Sequence, residues 1–329
     1  MNKASILTEP APPAHPNEEQ FCRDVIEGLD SSPKTMYSKY FYDEKGDQLF
    51  QQIMDMPEYY LTRAELDIFR NQTVELAFAI QTDKAPFDLI ELGAGDASKS
   101  KFLLGHLIEQ GVDFTYCPID ISGHILRELK DSLSKDMPTL EIRILEGEYF
   151  DMLQKATAYS DRRKVVLFLG GNIGNMELDQ AYSFCRELRS RLNLGDTVLM
   201  GFDLKKNPHQ ILAAYNDSQG ITASFNLNLL ERINRELDAN LEIKNFSHYQ
   251  NYDPFTGACR SYLVSLVNQE ALICGQRFYF SEHELIHMEV SQKFSEEQIE
   301  DLAQRSGFSH QQYHYDKNNW FTDAIWIAE

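Results

Sequence analysis

Residues 87–100 contain the sequence feature that most constrains the fold of this chain. The segment begins with the mostly apolar run Phe87–Leu92, continues through Gly93-Ala94-Gly95, and takes on a helix-like pattern near Ala97. A strand, a tight glycine turn and a helix in this order form the opening unit of a doubly wound α/β sheet. Because glycine has no Cβ, a ligand can approach the turn closely, and the helix that follows directs its first N–H groups to the same place. The segment therefore predicts a ligand site at one edge of a sheet.

Three neighbouring features indicate which ligand this site takes. Ser98 stands where a dinucleotide fingerprint requires its third glycine, which argues against NAD. Glu91 lies at the end of the first strand, just before the turn. A second predicted strand, at 114–119, is followed at once by Asp120, an acid suited to hold a ribose diol. Together these features resemble motifs of S-adenosylmethionine-dependent methyltransferases, and we rank a methyltransferase above a dehydrogenase.

The composition limits which partners the protein is expected to bind and in which compartment it is expected to be found. The 329 residues are 43% hydrophobic, enough for a large core, and their formal net charge of −20 argues against a nucleic-acid substrate. No apolar run reaches membrane-spanning length, and the N-terminus has no signal-peptide core, so we expect a cytoplasmic protein that does not bind a membrane. The cysteines are scattered and include no Cys-x-x-Cys pair, so we interpret them as reduced thiols, neither a disulfide framework nor a metal site: Cys22, Cys117, Cys185, Cys259 and Cys274.

The order of predicted elements divides the chain into four segments. Residues 1–80 are mostly helical after a proline-rich, extended lead-in at 1–16, and are expected to contribute to the substrate site. Residues 81–205 alternate strands and helices as a Rossmann-like cofactor core. Residues 206–294 form an inserted helix and β-meander that read as a substrate domain, and 295–329 add a helix and two strands to the core sheet.

Local patterns predict the individual elements. Helices are expected at 17–29, from Thr62 as N-cap to about Ala79, and at 122–134, 179–192 and 295–306. Strands are expected at 114–119, 140–145, 165–169, 197–202, 243–249, 260–267, 277–280, 286–294, 308–315 and 321–328.

Two further groups of residues are candidates for a substrate site. The apolar strand at 165–169 ends in Gly170-Gly171-Asn172-Ile173-Gly174-Asn175, a turn that either binds a carboxylate or is an ordinary glycine-rich loop. Tyrosines are dense around Tyr42 and Tyr59, where packing alone would explain any single ring. Their faces and hydroxyls also suit a small amine or cation.

The motifs, taken in order, resemble the histidine-specific, S-adenosylmethionine-dependent methyltransferases of the ergothioneine pathway, which make trimethylhistidine (hercynine). The resemblance extends from about Phe21 to Ala328. It rests on six motifs: Tyr40-Phe41-Tyr42-Asp43, the run from Pro57 to Glu65, Glu91-Leu92-Gly93-Ala94-Gly95, the run from Phe168 to Asn175, Ala214-Tyr215-Asn216-Asp217, and Phe225-Asn226 with Asn234-Arg235-Glu236-Leu237. It implies a class I methyltransferase-like fold with S-adenosylmethionine as cofactor and L-histidine as small-molecule substrate.

The resemblance also implies roles for individual residues. Around the cofactor, together with Gly95 of the turn, it implies Gly93, Lys99, Asp120, Glu148 and Tyr149. At the substrate's amino and carboxylate ends it implies Tyr59, Asn175 and Tyr215, joined by Gly170, with Tyr42 near the nitrogen and both tyrosines as catalytic candidates. Against the imidazole it implies Glu289 and Ser291, which share one strand face because they are two residues apart.

Two positions depart from the family pattern. Glu148-Tyr149 replaces an Asp-Phe pair, which keeps an acid and an aromatic ring beside the cofactor. Ser261 stands where a methionine is expected to line the imidazole pocket, which leaves another amino acid, such as a tryptophan derivative, as an alternative substrate. Glu289 argues against indole, because a buried carboxylate needs a partner. A protein that binds both ligands without turnover is the second alternative.

Overall fold

The computed structural model of the protein describes residues 16–81 and 85–329, and the chain divides into two compact units. The core unit consists of Met54–Tyr215, Asn251–Cys259 and Val290–Glu329. The second unit consists of the described residues up to Ile53, together with Asn216–Gln250 and Arg260–Glu289. The predicted lead-in lies outside the described residues except for Pro16, which is the first residue of a helix.

The described residues contain the following α-helices and β-strands. The helices are α1 (Pro16–Asp30), α2 (Glu44–Asp55), α3 (Leu61–Asn71), α4 (Thr73–Ile80), α5 (Ser100–Glu109), α6 (Gly123–Asp136), α7 (Tyr149–Ala158), α8 (Leu178–Ser190), α9 (Pro208–Tyr215), α10 (Ile221–Glu236) and α11 (Glu296–Arg305). The strands are β1 (Lys34–Thr35), β2 (Phe87–Leu92), β3 (Phe114–Asp120), β4 (Glu141–Ile142), β5 (Leu145–Glu146), β6 (Arg163–Phe168), β7 (Thr197–Asp203), β8 (Phe246–Tyr252), β9 (Ala258–Ser265), β10 (Gln269–Ile273), β11 (Gln276–Phe280), β12 (Leu285–Gln292), β13 (Phe308–Tyr315) and β14 (Phe321–Ala328).

An eight-stranded sheet forms the centre of the core unit. Its order is β13-β14-β7-β6-β2-β3-β4, with β5 also paired to β3. The strands from β7 to β4 are parallel, and β14 runs antiparallel to both β7 and β13. Every residue of β2 and β7 is buried, because helices cover both faces of a doubly wound sheet. This is the predicted class I methyltransferase-like fold, including the antiparallel pair at its end.

The second unit contains β1 and the greater part of β8, β9 and β12, which form a sheet in the order β1-β12-β9-β8. The hairpin β10–β11 also belongs to it. The structure joins Cys22 of α1 to Cys274, in the turn of that hairpin, by a disulfide with Cα atoms 6.2 Å apart. The prediction that these two thiols are reduced is therefore wrong. The pair could not be predicted from the sequence, because the two cysteines are 252 residues apart and only the tertiary fold brings them together. Cys117, Cys185 and Cys259 are buried and belong to no disulfide of the described residues.

Most predicted elements are confirmed within one to three residues, and four details are wrong. Thr62 is not an N-cap: α3 begins at Leu61 and ends at Asn71, because the next residue leaves the helical conformation (φ −125°, ψ 26°). Ala97 does not begin a helix, because its φ of 54° is left-handed. The strand expected at 140–145 is two short strands, β4 and β5, and neither α7 nor β10 was expected. No helix of the described residues is long and apolar enough to cross a membrane.

Candidate active site

The glycine turn after β2 lies beside the end of β3, at the carboxyl edge of the central sheet. The N–H groups of Gly93 and Ala94 both donate to the carbonyl of Ile119, at 2.8 and 3.2 Å. The φ angles of Gly93 and Gly95 are +70° and +52°, which glycine adopts without strain. The N–H of Gly95 donates to Oδ2 of Asp120 at 3.3 Å. Three of the predicted cofactor residues are therefore neighbours in the structure.

Tyr149, the first residue of α7, adjoins the same turn. A Cβ placed on Gly93 would stand only 2.7 Å from Oη of Tyr149, so a larger residue here would have to displace the Tyr149 side chain. Burial, and then the charges of Asp120 and Glu148, raise the pKa of Tyr149 to about 12, which keeps its hydroxyl protonated at neutral pH. Glu148 is exposed just before α7. Tyr149 thus follows Glu148 in the chain and is close enough to Asp120 for the charge of that residue to affect its pKa.

Lys99, the last predicted cofactor residue, pairs with a buried carboxylate that the sequence analysis did not identify as part of the site. Its Nζ donates to Glu65 of α3, and both oxygens of Glu65 also accept the N–H of Gly170, at 2.8 and 2.9 Å. Burial would lower the pKa of Lys99, but the charge and hydrogen bond of Glu65, together with the charges of Asp323 and Glu91, outweigh burial and raise that pKa. Asp323 of β14 is also fully buried, and burial together with the charge of Glu65 raises its pKa well above the usual range. Glu65 therefore connects Lys99 with the second glycine turn.

The second glycine turn is compact and packs against the end of β12. Gly170 and Gly171 have φ angles of +80° and +67°, and Asn175 is the exposed last residue of the 3₁₀ turn that follows them. A Cβ on Gly174 would stand 2.8 Å from the carbonyl oxygen of Gln292. The turn therefore adopts the tight path that its glycines suggested, with the Asn175 side chain directed to the surface.

The polar ends of the Tyr215, Ser291 and Lys293 side chains lie within hydrogen-bond distance of one another. Oη of Tyr215 and Oγ of Ser291 are 2.8 Å apart, and Nζ of Lys293 lies 2.8 Å from the first and 2.7 Å from the second. The ring of Tyr59 packs edge-to-face on that of Tyr215, with centroids 6.1 Å apart. The structure thus brings together three predicted substrate residues and adds a buried lysine.

Lys293 belongs to a larger buried cluster of charges. Asp203, at the end of β7, pairs with Lys293 at 2.8 Å and with Lys206, and accepts the hydroxyl of Tyr60 at 2.9 Å. Burial alone would raise the pKa of Asp203, but the two ammonium groups outweigh it and lower that pKa. The strand expected at 286–294 includes Lys293, but no role was expected for it, because a lysine near the end of a strand is normally exposed.

The remaining predicted substrate residues belong to the second unit. Tyr42 is 47% exposed and packs edge-to-face on Phe50 and Phe225, with centroids 5.5 and 5.7 Å away. Glu289 is half-buried in β12, and the alternation of burial along that strand gives it the same face as Ser291, as predicted. In the described part of the chain, no group of three or more His, Cys, Asp or Glu side chains is arranged to hold a metal ion.

Comparisons with known proteins agree with the motifs. A family model described as "Histidine-specific methyltransferase, SAM-dependent" matches residues 21–328. A protein of Mycolicibacterium smegmatis named histidine N-alpha-methyltransferase is 32% identical over 93% of this chain and 92% of its own length. One of the same name from Mycobacterium tuberculosis is 35% identical over 70% of each chain. Ergothioneine biosynthesis protein 1 of Schizosaccharomyces pombe is 31% identical over 82% of this chain and 36% of its own length.

Proposed function

This chain belongs to the family of histidine-specific, S-adenosylmethionine-dependent methyltransferases, and on that premise we propose how its residues transfer methyl groups to the α-amino group of L-histidine. The product after three transfers is N,N,N-trimethylhistidine (hercynine), an intermediate of ergothioneine biosynthesis. The observation that carries the proposal is the family match over residues 21–328, which includes every candidate site residue. The geometry of the core unit supports the division of roles among them.

The residues at the first glycine turn fit S-adenosylmethionine. Apart from Gly95 and its two chain neighbours, no atom of the described residues lies within 4 Å of where a Cβ on Gly95 would stand, so the turn is open to a ligand. Asp120 would accept the ribose hydroxyls, Lys99 would face the carboxylate of the methionine part, and Glu148 and Tyr149 would border the adenine. When bound, S-adenosylmethionine supplies an electrophilic methyl group on its sulfonium centre.

The protein's own contribution is alignment and electrostatics, without a covalent nucleophile. The α-amine must be neutral to attack, so a proton has to leave it before each transfer. We assign this proton path to the hydroxyls of Tyr59 and Tyr42, alone or through water. For Tyr59 the support includes its contact with Tyr215. For Tyr42 the support is family membership together with its exposed ring, whose face suits a growing ammonium cation.

Two sets of residues would hold the ends of the substrate. Tyr215, with Asn175 and Gly170 of the second glycine turn, is proposed for the α-carboxylate. Glu289 and Ser291, on one face of β12, are proposed for the imidazole, whose N–H groups suit oxygen acceptors.

The test is a methyltransferase assay of the purified protein with S-adenosylmethionine and each standard amino acid, following release of S-adenosylhomocysteine. We expect histidine to be preferred, and mass spectrometry to detect mono-, di- and trimethylated products in succession. Preference for another amino acid would overturn histidine specificity and leave the methyltransferase assignment intact. Binding of both ligands without release of S-adenosylhomocysteine would overturn the enzymatic assignment.

We propose in addition which molecules the protein binds and where it is located. The substrate is a free small molecule, and the net charge of −20 supports the expectation that nucleic acid is not bound. The predicted cytoplasmic location is kept as part of the proposal, because free histidine and S-adenosylmethionine are both available there.

A further inference from the structure

Lys293 is fully buried and follows directly after β12, and its ammonium group has three close oxygen partners. Its Nζ lies 2.8 Å from Oδ2 of Asp203, 2.8 Å from Oη of Tyr215 and 2.7 Å from Oγ of Ser291. An ammonium group has three protons and no acceptor, so each of these contacts uses one of its N–H groups. Tyr215 and Ser291 must therefore both accept a hydrogen bond from Lys293.

The hydroxyls of Tyr215 and Ser291 are also 2.8 Å apart, and this contact constrains the directions of their own protons. One hydroxyl donates to the other, and the second donates its proton outside the trio. If Ser291 donates to Tyr215, then Tyr215 donates outward and Ser291 keeps one lone pair for an N–H group. This is the polarity that an amino acid with an anionic carboxylate and an imidazole N–H requires.

We propose that Lys293 is a positioning residue that orients the hydroxyl of Tyr215 as a donor to the substrate's α-carboxylate. The inference rests on the proposed function for the assignment of Tyr215 to that carboxylate. Lys293 acts through Tyr215 and Ser291, which are proposed to touch the substrate. By accepting from Lys293 and Ser291, Oη of Tyr215 leaves its own proton for the carboxylate.

The charges of the cluster favour an anion as the outward partner. Two buried ammonium groups, Lys293 and Lys206, contact one carboxylate, Asp203, so the contacting groups have one positive charge in excess. The negative charge of Asp316 also opposes the fall in the pKa of Lys206. The hydrogen bonds that the Asp316 carboxylate accepts come from backbone N–H groups, such as those of Trp320 and Phe321. The substrate carboxylate would balance the excess beside Tyr215.

Lys206 provides a matched control. Both lysines pair with Asp203 and both are buried, but Lys206 contacts the hydroxyl of Tyr60 whereas Lys293 contacts those of Tyr215 and Ser291. Lys293→Met and Lys206→Met each remove one ammonium group and leave Asp203 with the other. A difference between the variants therefore reports the contacts with Tyr215 and Ser291, separately from the loss of a buried charge.

The experiment measures kcat and KM of the full chain for L-histidine and for L-histidinamide, which lacks the carboxylate charge. In Lys293→Met we expect KM for histidine to rise about 10- to 100-fold with kcat nearly unchanged, because the contact is made equally before and during the reaction. For histidinamide we expect KM to change less than about threefold, so that the preference for histidine collapses. Lys206→Met should keep the wild-type preference.

Tyr215→Phe retains the lysine and removes the hydroxyl, which is both the proposed donor to the substrate and an acceptor for Lys293 and Ser291. It should lose the same preference, and the double variant with Lys293→Met should lose no more than either alone. Calorimetric affinity for S-adenosylmethionine, unchanged in all variants, shows that the core unit is folded.

Two results would overturn the proposal: a Lys293→Met enzyme that keeps the wild-type preference, or a Lys206→Met enzyme that loses it equally. If the wild type prefers another amino acid, histidine specificity fails, and the same comparison with that amino acid and its amide still tests Lys293.

Discussion

Ser261 occupies the position where the family resemblance leads us to expect a methionine, and its hydroxyl is fully engaged within the second unit. It donates to Oδ1 of Asn226 at 3.0 Å and lies 2.7 Å from Nε2 of His248. Because a hydroxyl has only one proton, Nε2 of His248 must be the donor in the second contact. Burial lowers the pKa of His248 to about 4, so the ring is neutral at physiological pH and has its proton on Nε2.

We expect Ser261→Ala to lower the free energy of unfolding by about 1–3 kcal/mol, because the change leaves two buried polar groups without their partner. Urea denaturation followed by far-UV circular dichroism measures the loss. Ser247→Ala, at an exposed serine of β8, is the control and should be nearly neutral. Equal stabilities of the two variants would show that the Ser261 network does not contribute.

Glu289 is the residue expected to distinguish histidine from apolar amino acids. A charge-assisted hydrogen bond contributes about 1.5–3 kcal/mol, so Glu289→Ala should lower kcat/KM for histidine roughly tenfold or more. Discrimination against phenylalanine should relax, because no carboxylate then has to be desolvated by an apolar ring. The assay over all amino acids measures both effects, with Glu282→Ala, an exposed glutamate, as the control. Unchanged discrimination would remove Glu289 from the substrate site.

At the scale of single residues, the sequence indicates chemical type better than environment. Asp120 and Gly95 were both predicted to border the cofactor, and the structure joins them by a hydrogen bond. Glu65 ends one of the family motifs and Lys293 lies within a predicted strand, but no role was expected for either. Their burial depends on partners that are distant in sequence, Lys99 and Gly170 for one and Asp203 and Tyr215 for the other.

At the scale of elements, the second glycine turn depends on contact with a strand far away in the sequence. A Cβ on Gly174 would stand 2.8 Å from the oxygen and 3.4 Å from the nitrogen of Gln292, and both are backbone atoms that cannot rotate away. Gly174→Ala should therefore displace the turn or the end of β12. Because a displacement of about 1 Å can cost on the order of 100-fold in rate, we expect kcat/KM for histidine to fall roughly 10- to 100-fold.

Gly105→Ala is the matched control for this change. Gly105 lies within α5, and its added Cβ would meet only the end of the Met137 side chain at 3.6 Å, an ordinary contact. Activity should be unchanged, with stability raised by about 0.5–1 kcal/mol from the better helix propensity of alanine. An active Gly174→Ala enzyme with unchanged KM would show that the turn has room to adjust.

Element boundaries were predictable where burial pattern and turn chemistry agreed. The bounds of β13 and β14 match the prediction, and α6 begins after Ser122, whose side chain caps it. The single helix expected from Thr62 to about Ala79 failed because Gln72 interrupts it, although the apolar spacing continues on both sides. Periodicity alone does not reveal such an interruption.

At the scale of the whole molecule, the units are assembled from segments that are far apart in the chain. The disulfide joins Cys22 to Cys274, and Lys34 of β1 pairs with Glu284, so the first helix and the meander form one unit. Sequence patterning identifies most elements but not their long-range partners, and the predicted division into four consecutive segments stays a prediction.

The pH dependence of stability is the prediction that belongs to this scale. Burial raises the pKa of Glu91 from its ordinary 4.5 to about 7, and the 2.6 Å hydrogen bond from Tyr116 offsets only part of this rise. The native state therefore binds this proton more tightly than the unfolded state does. Its contribution to stability is fully present below pH 4.5 and is lost as the pH rises to about 7.

Glu91→Gln removes this titration, while the amide oxygen can still accept the hydroxyl of Tyr116. The free energy of unfolding of the variant relative to wild type should therefore increase between about pH 4.5 and 7.5, by roughly 3 kcal/mol. Both tryptophans of the chain, Trp320 and Trp326, lie in the core unit with Glu91, so their fluorescence during urea unfolding reports that unit. Glu109→Gln, at an exposed carboxylate of the same unit, should follow wild type at every pH. A difference between Glu91→Gln and wild type that stays constant over this range would show that Glu91 does not titrate there.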